Sequence, residues 1–308
     1  MKTPKWFLKK GFISWILSPW SLFYLMGSRC VFNLRKKHEY VSRRSVICFG
    51  NILSGGVGKT PIVRNVAKFF DAPVVMRGYK KSGQTDGVGD EAKMLSMDNI
   101  LVHVGNRKSN LVLLNKQNSD TPIVMDDGFQ NSSIKKDISV LVFDESIGFG
   151  NGYLLPAGPL REKKSAINRA DAIILIKRKK VHPDFALPTN IPVFYAKNSE
   201  DCPFDKNCRV VAFAGIGYPE KFFDNVPCKV VETVSFPDHY QYNDDDIKKL
   251  IKLADEKKAK LLTTEKDWVR LPDWAQKEIK FSALKTEIEN KFYDWLKGKV
   301  NEVVKQKN

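Results

Sequence analysis

Acidic residues are scarce in this chain: 35 Asp and Glu stand against 51 Lys and Arg, a formal net charge of +16 over 308 residues. Cysteine is scarcer still. The five present (Cys30, Cys48, Cys202, Cys208, Cys228) form no C-x-x-C pair. An odd number without a framework of spacings excludes a disulfide scaffold and fits reduced thiols in a cytosolic setting. Cys202 and Cys208 could bridge or bind a metal, but two scattered buried thiols are the simpler reading. Only four histidines occur, and they do not cluster, which argues against a His/Cys metal centre. No internal repeat is present, so the chain is not a solenoid. A hydrophobic content of 43% excludes a disordered chain, and the length suffices for two domains of ordinary size.

The excess positive charge is uneven. Residues 1–44 hold ten Lys/Arg against one acid, Glu39. Such an asymmetry points to an anionic surface, either nucleic acid or membrane. Within this segment Phe12–Met26 is uncharged and aromatic, with Lys5, Lys9 and Lys10 before it and Arg29, Arg35, Lys36 and Lys37 after it. A helix of that length reaches roughly 22 Å, short of the roughly 30 Å hydrocarbon core, and Pro19 is expected to interrupt it. No small-residue cleavage site follows, so a signal peptide is disfavoured. An interfacial helix with aromatic anchors and snorkelling lysines fits better than one packed on the core.

Ser45–Pro61 reads S-V-I-C-F-G-N-I-L-S-G-G-V-G-K-T-P. An apolar strand enters a glycine loop, and a helical pattern follows Gly58, Lys59 and Thr60. That order suits a phosphate cradle, in which glycines let successive N–H groups turn towards one anion and the new helix adds its positive end. Lys59 would reach the outer phosphates and the Thr60 hydroxyl would bind Mg²⁺. The usual spacing wants glycine where Leu53 stands. Gly55 and Gly56 supply the flexibility instead, making Leu53, Ser54, Gly55, Gly56, Val57, Gly58, Lys59 and Thr60 a variant P-loop.

Beyond it, short apolar runs alternate with helical patterns. Strands are expected at 73–76, 100–104, 122–125, 138–143 and 172–176, with helices at 61–70, from Asp90 onward, and at 107–117. This spacing predicts a P-loop NTPase-like α/β fold, a mostly parallel sheet with helices on both faces. A proline-rich loop, Gly148–Glu162, separates the last two strands and is long enough to be functional. A composition shift near 177–208 marks a junction. A second α/β series follows, with strands at 210–214, 230–235 and 260–264. Asn243 caps a helix through Lys257, and a helix over 287–305 closes the chain. The expected organisation is a basic, aromatic membrane-associating segment (1–44), a nucleotide-binding domain (45–200), and a smaller C-terminal α/β domain (201–308) that closes over the site.

Candidate chemistry sits at strand ends. Asp126 follows an apolar strand where such folds place the carboxylate that orders Mg²⁺ or its water, and the adjacent Asp126-Asp127 pair is costly unless a cation offsets it. Asp90 and Glu91 read locally as the N-cap and first-turn acid of a helix. They gain interest because phosphoryl transfer to an alcohol needs a carboxylate beside the attacking oxygen. His239 lies in a proline-bearing loop after Asp238. Among the loop bases Arg77, Lys80, Lys81, Arg161, Lys163 and Lys164, the two arginines are the better anion contacts.

Several stretches together resemble the tetraacyldisaccharide 4′-kinase family of lipid A biosynthesis. They are G-N-I-L-S-G-G-V-G-K-T-P (50–61), R-G-Y (77–79), G-D-E-A (89–92), D-D-G-F-Q (126–130) and L-P-A-G-P-L-R-E (155–162). They continue with R-A-D-A (169–172), F-A-G-I-G-Y-P-E-K-F-F (213–223), F-P-D-H-Y (236–240) and T-T-E-K-D (263–267), nearly spanning the chain. The chain departs from the family at Lys80, Asn131 and Tyr240, none at the presumed chemical centre.

The resemblance implies ATP-dependent phosphorylation of the 4′-hydroxyl of a lipid A disaccharide precursor, at the cytosolic face of the bacterial inner membrane, by a peripheral enzyme expected to be monomeric and not to bind nucleic acid. It makes Asp90 similar to the family's catalytic base and His239 to the histidine that pairs with it across the interdomain cleft, with Lys59 as the third catalytic residue. Glu91, Asp126 and Asp127 resemble the remaining metal-site acids, and Asn51, Arg77, Gln130 and Arg161 the substrate contacts. Two rivals remain. One is a membrane-associated partitioning-type regulatory ATPase, although that class carries lysine where Ser54 stands. The other is a basic nucleic-acid-binding module, although no motif supports it.

Overall fold

The computed structural model of the protein describes residues 5–7, 9–78, 89–179, 181–182, 185–217 and 219–307. The expected glycine-rich loop with Tyr79, Lys80 and Lys81 lies outside these residues. A long helix α1 (Phe12–Lys36) is followed by β1 (Val46–Gly50), α2 (Lys59–Phe70), β2 (Val74–Met76), α3 (Asp90–Ser96), β3 (Val102–Val104) and α4 (Arg107–Asn115). Then come β4 (Ile123–Asp126), β5 (Ile138–Asp144), β6 (Ala172–Ile176), β7 (Val193–Asp201), β8 (Arg209–Ala214), α5 (Pro219–Phe223), β9 (Lys229–Ser235) and α6 (Asp244–Glu256). The chain ends with β10 (Lys260–Thr264), α7 (Glu265–Trp268), α8 (Asp273–Glu278), β11 (Lys280–Ile288) and α9 (Asn290–Lys307).

Two compact units result. The larger takes Pro4–Lys197 together with Thr286–Asn308, and the smaller takes Asn198–Lys285. This corrects the expected boundaries. The closing helix, expected in the C-terminal domain, packs instead on the larger unit: Phe292, Leu296 and Val300 of α9 are buried with its Ile47, Phe49, Val63 and Phe194. Spaced four apart, these three form one helical stripe. Burying Phe292 and Leu296 contributes about 1.5–3 kcal/mol each, enough to decide which core the helix joins.

In the larger unit the strands run in the order β3-β2-β4-β1-β5-β6-β7, with parallel pairing throughout. Side chains of β1 alternate between two cores. Ile47 and Phe49 meet α2 and α9, whereas Val46 and Cys48 meet Leu111 and Leu114 of α4. Helices therefore cover both faces, as a continuously apolar strand requires. The smaller unit repeats the scheme over parallel β11-β10-β8-β9, with Phe213 against α6 and Ala212 against Phe222 of α5. Asn243 forms the expected cap, a reciprocal box with Asp246.

Three local expectations need revision. Pro19 does not break α1, a continuous helix of 25 residues. The proline lacks the N–H that would reach the Trp15 carbonyl, and the Ser18 hydroxyl donates to that oxygen instead, at 2.8 Å. Even so, among the described residues no helix is long and apolar enough to cross a membrane. Gly89, not Asp90, caps α3, and Asp90 is its first helical residue. Cys202 approaches Cys228 rather than Cys208, with a sulfur–sulfur distance of 2.8 Å between free thiols.

Candidate active site

At Gly50 the chain leaves the sheet, and glycine is required there because a Cβ would stand 2.5 Å from the Phe129 Cβ. Gly55 and Gly58 adopt φ of 119° and 82°, conformations that L side chains rarely take. Gly58 is thereby the left-handed N-cap of α2, which puts Lys59 and Thr60 in the first turn, where unpaired N–H groups and the helix dipole favour an anion. Leu53 and Val57 are buried, so they offer a ligand only their backbone. The Ser54 amide is already committed, donating to Pro159 O at 2.7 Å. With Arg161 N donating to Ile52 O at 2.7 Å and a bridge between Leu53 and Leu160, the proline-rich loop lies along the phosphate loop.

That arrangement delivers Arg161 to the end of β4. Phe49 of β1 pairs in register with Asp126 of β4, so the two acids border the strand that feeds the loop. Their environments differ sharply. Asp127, at φ 50°, receives Lys59 Nζ at 3.1 Å and Arg161 Nη1 at 3.1 and 3.0 Å on its two oxygens. Burial alone would raise its carboxyl, but the Lys59 and Arg161 charges overcome it and hold it at about 2. Asp126 is 4% exposed, and its Oδ1 has no hydrogen-bond partner. Burial pushes this carboxyl up to about 6, with Lys59 opposing and Glu91 and Asp127 adding to the rise.

Arg107 was not anticipated. It donates through Nη2 to the backbone oxygens of Asp126 at 2.7 Å and Asp127 at 3.1 Å, fixing the turn. Nothing in its local sequence signals this role. Gln130 Nε2 donates to Asn51 O at 2.8 Å. Asn51 itself is fully buried with neither side-chain polar atom partnered, a cost of about 1–3 kcal/mol that a bound group would relieve. Arg77 is exposed just beyond β2, whose Val75 pairs with Met125. Asn51, Arg77, Asp126 and Asp127 thus lie at or just beyond the carboxyl ends of neighbouring parallel strands, where open α/β sheets form their ligand crevice. Asp90 and Glu91, half-buried, open α3 in the same unit, and Glu91 is close enough to act on Asp126.

His239 belongs to the smaller unit, on the loop after β9, at φ 60°, with its N–H donated to Gly215 O at 2.9 Å.

Helix α1 is tied to the proline-rich loop. Asn151 Nδ2 donates to Trp6 O at 2.6 Å, Ser14 Oγ at 3.0 Å and Ala157 O at 2.9 Å, while Ser21 Oγ donates to Leu154 O at 2.9 Å. Ser14 and Ser21 are its buried residues, so the helix is not packed on the core by its apolar side. Phe12, Trp15, Trp20, Phe23 and Met26 are instead 62–74% exposed.

A family model described as tetraacyldisaccharide-1-P 4′-kinase matches residues 13–301. The chain belongs to this family. A tetraacyldisaccharide 4′-kinase of Paramagnetospirillum magneticum is 37% identical over 298 residues, covering 88% of this chain and 90% of that protein. One from Hyphomonas neptunium is 36% identical, covering 86% and 84%. A crystal structure of LpxK from Aquifex aeolicus in complex with ATP matches with a TM-score of 0.76 at 28% identity, over 95% of this chain and 100% of that one. Membership in the tetraacyldisaccharide-1-P 4′-kinase family makes the protein a phosphotransferase acting on a hydroxyl group and does not favour the partitioning-ATPase reading.

Proposed function

We propose that this protein transfers the γ-phosphoryl group of ATP to the 4′-hydroxyl of a tetraacyldisaccharide 1-phosphate, a step of lipid A biosynthesis. One observation carries the reading: a lysine at the mouth of a glycine loop is held by one aspartate, beside a second, buried aspartate with an unpartnered oxygen. ATP, the ligand of the Aquifex aeolicus structure, is the proposed donor. The amides of the 55–58 glycine stretch and the first turn of α2 would cradle its phosphates, with Lys59 moving from Asp127 towards the γ-phosphate. In this scheme Asp127 positions Lys59 rather than binding metal.

Thr60 and Asp126 would hold Mg²⁺, with Glu91 beside them. The fit rests on the orphaned Asp126 oxygen and on a carboxyl that burial has raised to about 6, which an adjacent cation would relieve. Among the described residues no cluster of three His, Cys, Asp or Glu could hold a metal unaided. That suits Mg²⁺, which takes one or two carboxylates with phosphate oxygens and water. When bound, it offsets charge on the β- and γ-phosphates.

Asp90 is the proposed general base. It opens the first turn of α3, in the same unit as Lys59. His239, in the smaller unit, is the second proposed catalytic residue, on the strength of the family resemblance. Asn51, Arg77, Gln130 and the remaining N–H groups of Arg161 are the proposed contacts to the disaccharide phosphate. The exposed aromatic face of α1 would lie in the bilayer interface at the cytosolic side of the inner membrane, where an acylated substrate is found.

The test supplies ATP labelled in its γ-phosphate together with a lipid disaccharide monophosphate in mixed micelles. Label is expected in the lipid. ATP turnover with unlabelled lipid would overturn the reading.

A further inference from the structure

The T-T-E-K-D stretch has no part in the chemistry so far, yet it holds a buried carboxylate with hydrogen-bond donors on both oxygens. Asp267 has a fully buried side chain. Its Oδ1 accepts from the Gly215 amide, the Tyr242 hydroxyl and Arg270 Nη1, each at 3.0 Å, and its Oδ2 accepts from the Thr264 hydroxyl at 2.7 Å. Burial and the neighbouring Asp267 charge raise the Tyr242 phenol, so the hydroxyl remains a donor. Gly215 is where the loops meet: a Cβ there would stand 3.0–3.1 Å from Tyr242 Oη, Asp267 Oδ1 and Pro237 O.

Arg270, whose side chain is 2% exposed, carries this order onward. Its Nη1 donates to Gly215 O at 3.0 Å, the same oxygen that accepts the His239 amide, and its Nη2 lies 3.3 Å from His239 Nδ1. A guanidinium has no acceptor, so Nδ1 must be the accepting nitrogen and the neutral ring carries its proton on Nε2. The carboxylate of Asp238, 3.9 Å from Nε2, agrees with a proton there rather than a lone pair.

We infer that Asp267 and Arg270 are positioning residues for His239, fixing its backbone and holding its imidazole in the Nε2–H tautomer, so that the ring presents a donor suited to a carboxylate partner. The inference rests on the reading of His239 as a participant in phosphoryl transfer. Three separate sequence stretches, F-A-G-I-G, F-P-D-H-Y and T-T-E-K-D-W-V-R, are thereby parts of one device.

The full chain labelled with ¹⁵N-histidine, in detergent, provides the test. Multiple-bond ¹H–¹⁵N correlation above the ring's titration, with His239 assigned by its loss in His239→Gln, is expected to show Nε2 protonated and Nδ1 bare in the wild type. Arg270→Ala is expected to give mixed tautomers and to lower kcat roughly 10- to 100-fold, with the ATP KM within about twofold. In a His239→Ala background the same change should cost less than about twofold. An Nδ1–H ring in the wild type overturns the inference and needs no variant to fold. So does an equal loss from Arg270→Ala with and without His239. Unimpaired turnover by His239→Ala removes the histidine from the chemistry, and the positioning role with it, whatever the spectrum shows.

Discussion

Asp126 and Asp267 are both buried aspartates just beyond or at the carboxyl end of a parallel strand, yet they live in opposite circumstances. Asp267 has a donor for each oxygen and an arginine beside it, within its own unit. Asp126 has an orphaned Oδ1, Glu91 and Asp127 nearby, and only partial relief from Lys59. The first arrangement is complete as folded. The second leaves an oxygen unmatched, which the cation and phosphates proposed above would match. On the proposed reading the glycine loop carries a cost that bound nucleotide would offset, while the hydrogen bonds around His239 are complete within its own unit.

The largest expected effect concerns the chemistry that the comparison leaves to a third aspartate. Asp90→Ala should lower turnover at least 10²- to 10⁴-fold while ATP still binds, as read by isothermal titration beside steady-state kinetics. Near-normal rates would remove Asp90 as the base.

The next pair sets the two buried acids against each other. Asp267→Ala should destabilise the smaller unit by about 3–5 kcal/mol, because it strands a buried guanidinium. Asp126→Asn should instead stabilise the nucleotide-free protein above pH 7, by up to about 3 kcal/mol for a carboxyl raised from 3.8 to about 6. Denaturant unfolding of both variants checks the signs. Equal destabilisation would erase the distinction.

A pH series sharpens it. The folded Asp126 carboxyl binds its proton more tightly than the unfolded one, so its contribution to stability falls as pH rises from 3.8 through about 6 and is level above that. Asp127 acts in the other direction. Its carboxyl is held at about 2, so its contribution is fully present above 3.8 and is lost as pH falls towards 2. Without nucleotide, the wild type should gain stability between pH 7 and 5 relative to Asp126→Asn.

The smallest effect should leave both sites untouched. Replacing Trp15 and Trp20 by serine should weaken sedimentation with anionic vesicles by roughly tenfold per residue, with ATP affinity unchanged.

Much of this was legible in the sequence, and unevenly so. Val46–Phe49 and Ile138–Phe143 are continuous apolar runs, and such runs in a chain of alternating helices have few alternatives to buried parallel strands. Beta strands β7 and β11 went unseen because Lys197–Asp201 and Lys280–Glu287 carry charge and expose every second residue or so, which reads as loop or helix start. Pro19 misled because its compensation comes from a neighbouring hydroxyl rather than from any pattern. At the site, spacing alone suggested Lys59, Thr60 and Asp126. The roles of Asp90 and His239 came from family resemblance. The link from Asp267 and Arg270 to His239 had no local signal, since Gly215, Tyr242 and His239 lie 25 to 55 residues away from them along the chain.

The ties between Asn151, Leu154 and the first long helix have a practical consequence for anyone wishing to remove the exposed aromatic face of that helix before inhibitor screening. Cutting off the aromatic N-terminal arm would also remove the ties behind Pro159 and Arg161, and so slacken the glycine loop proposed to hold the nucleotide. Repainting the outward side of that arm with polar residues, while leaving Ser14 and Ser21 in place, is the safer route.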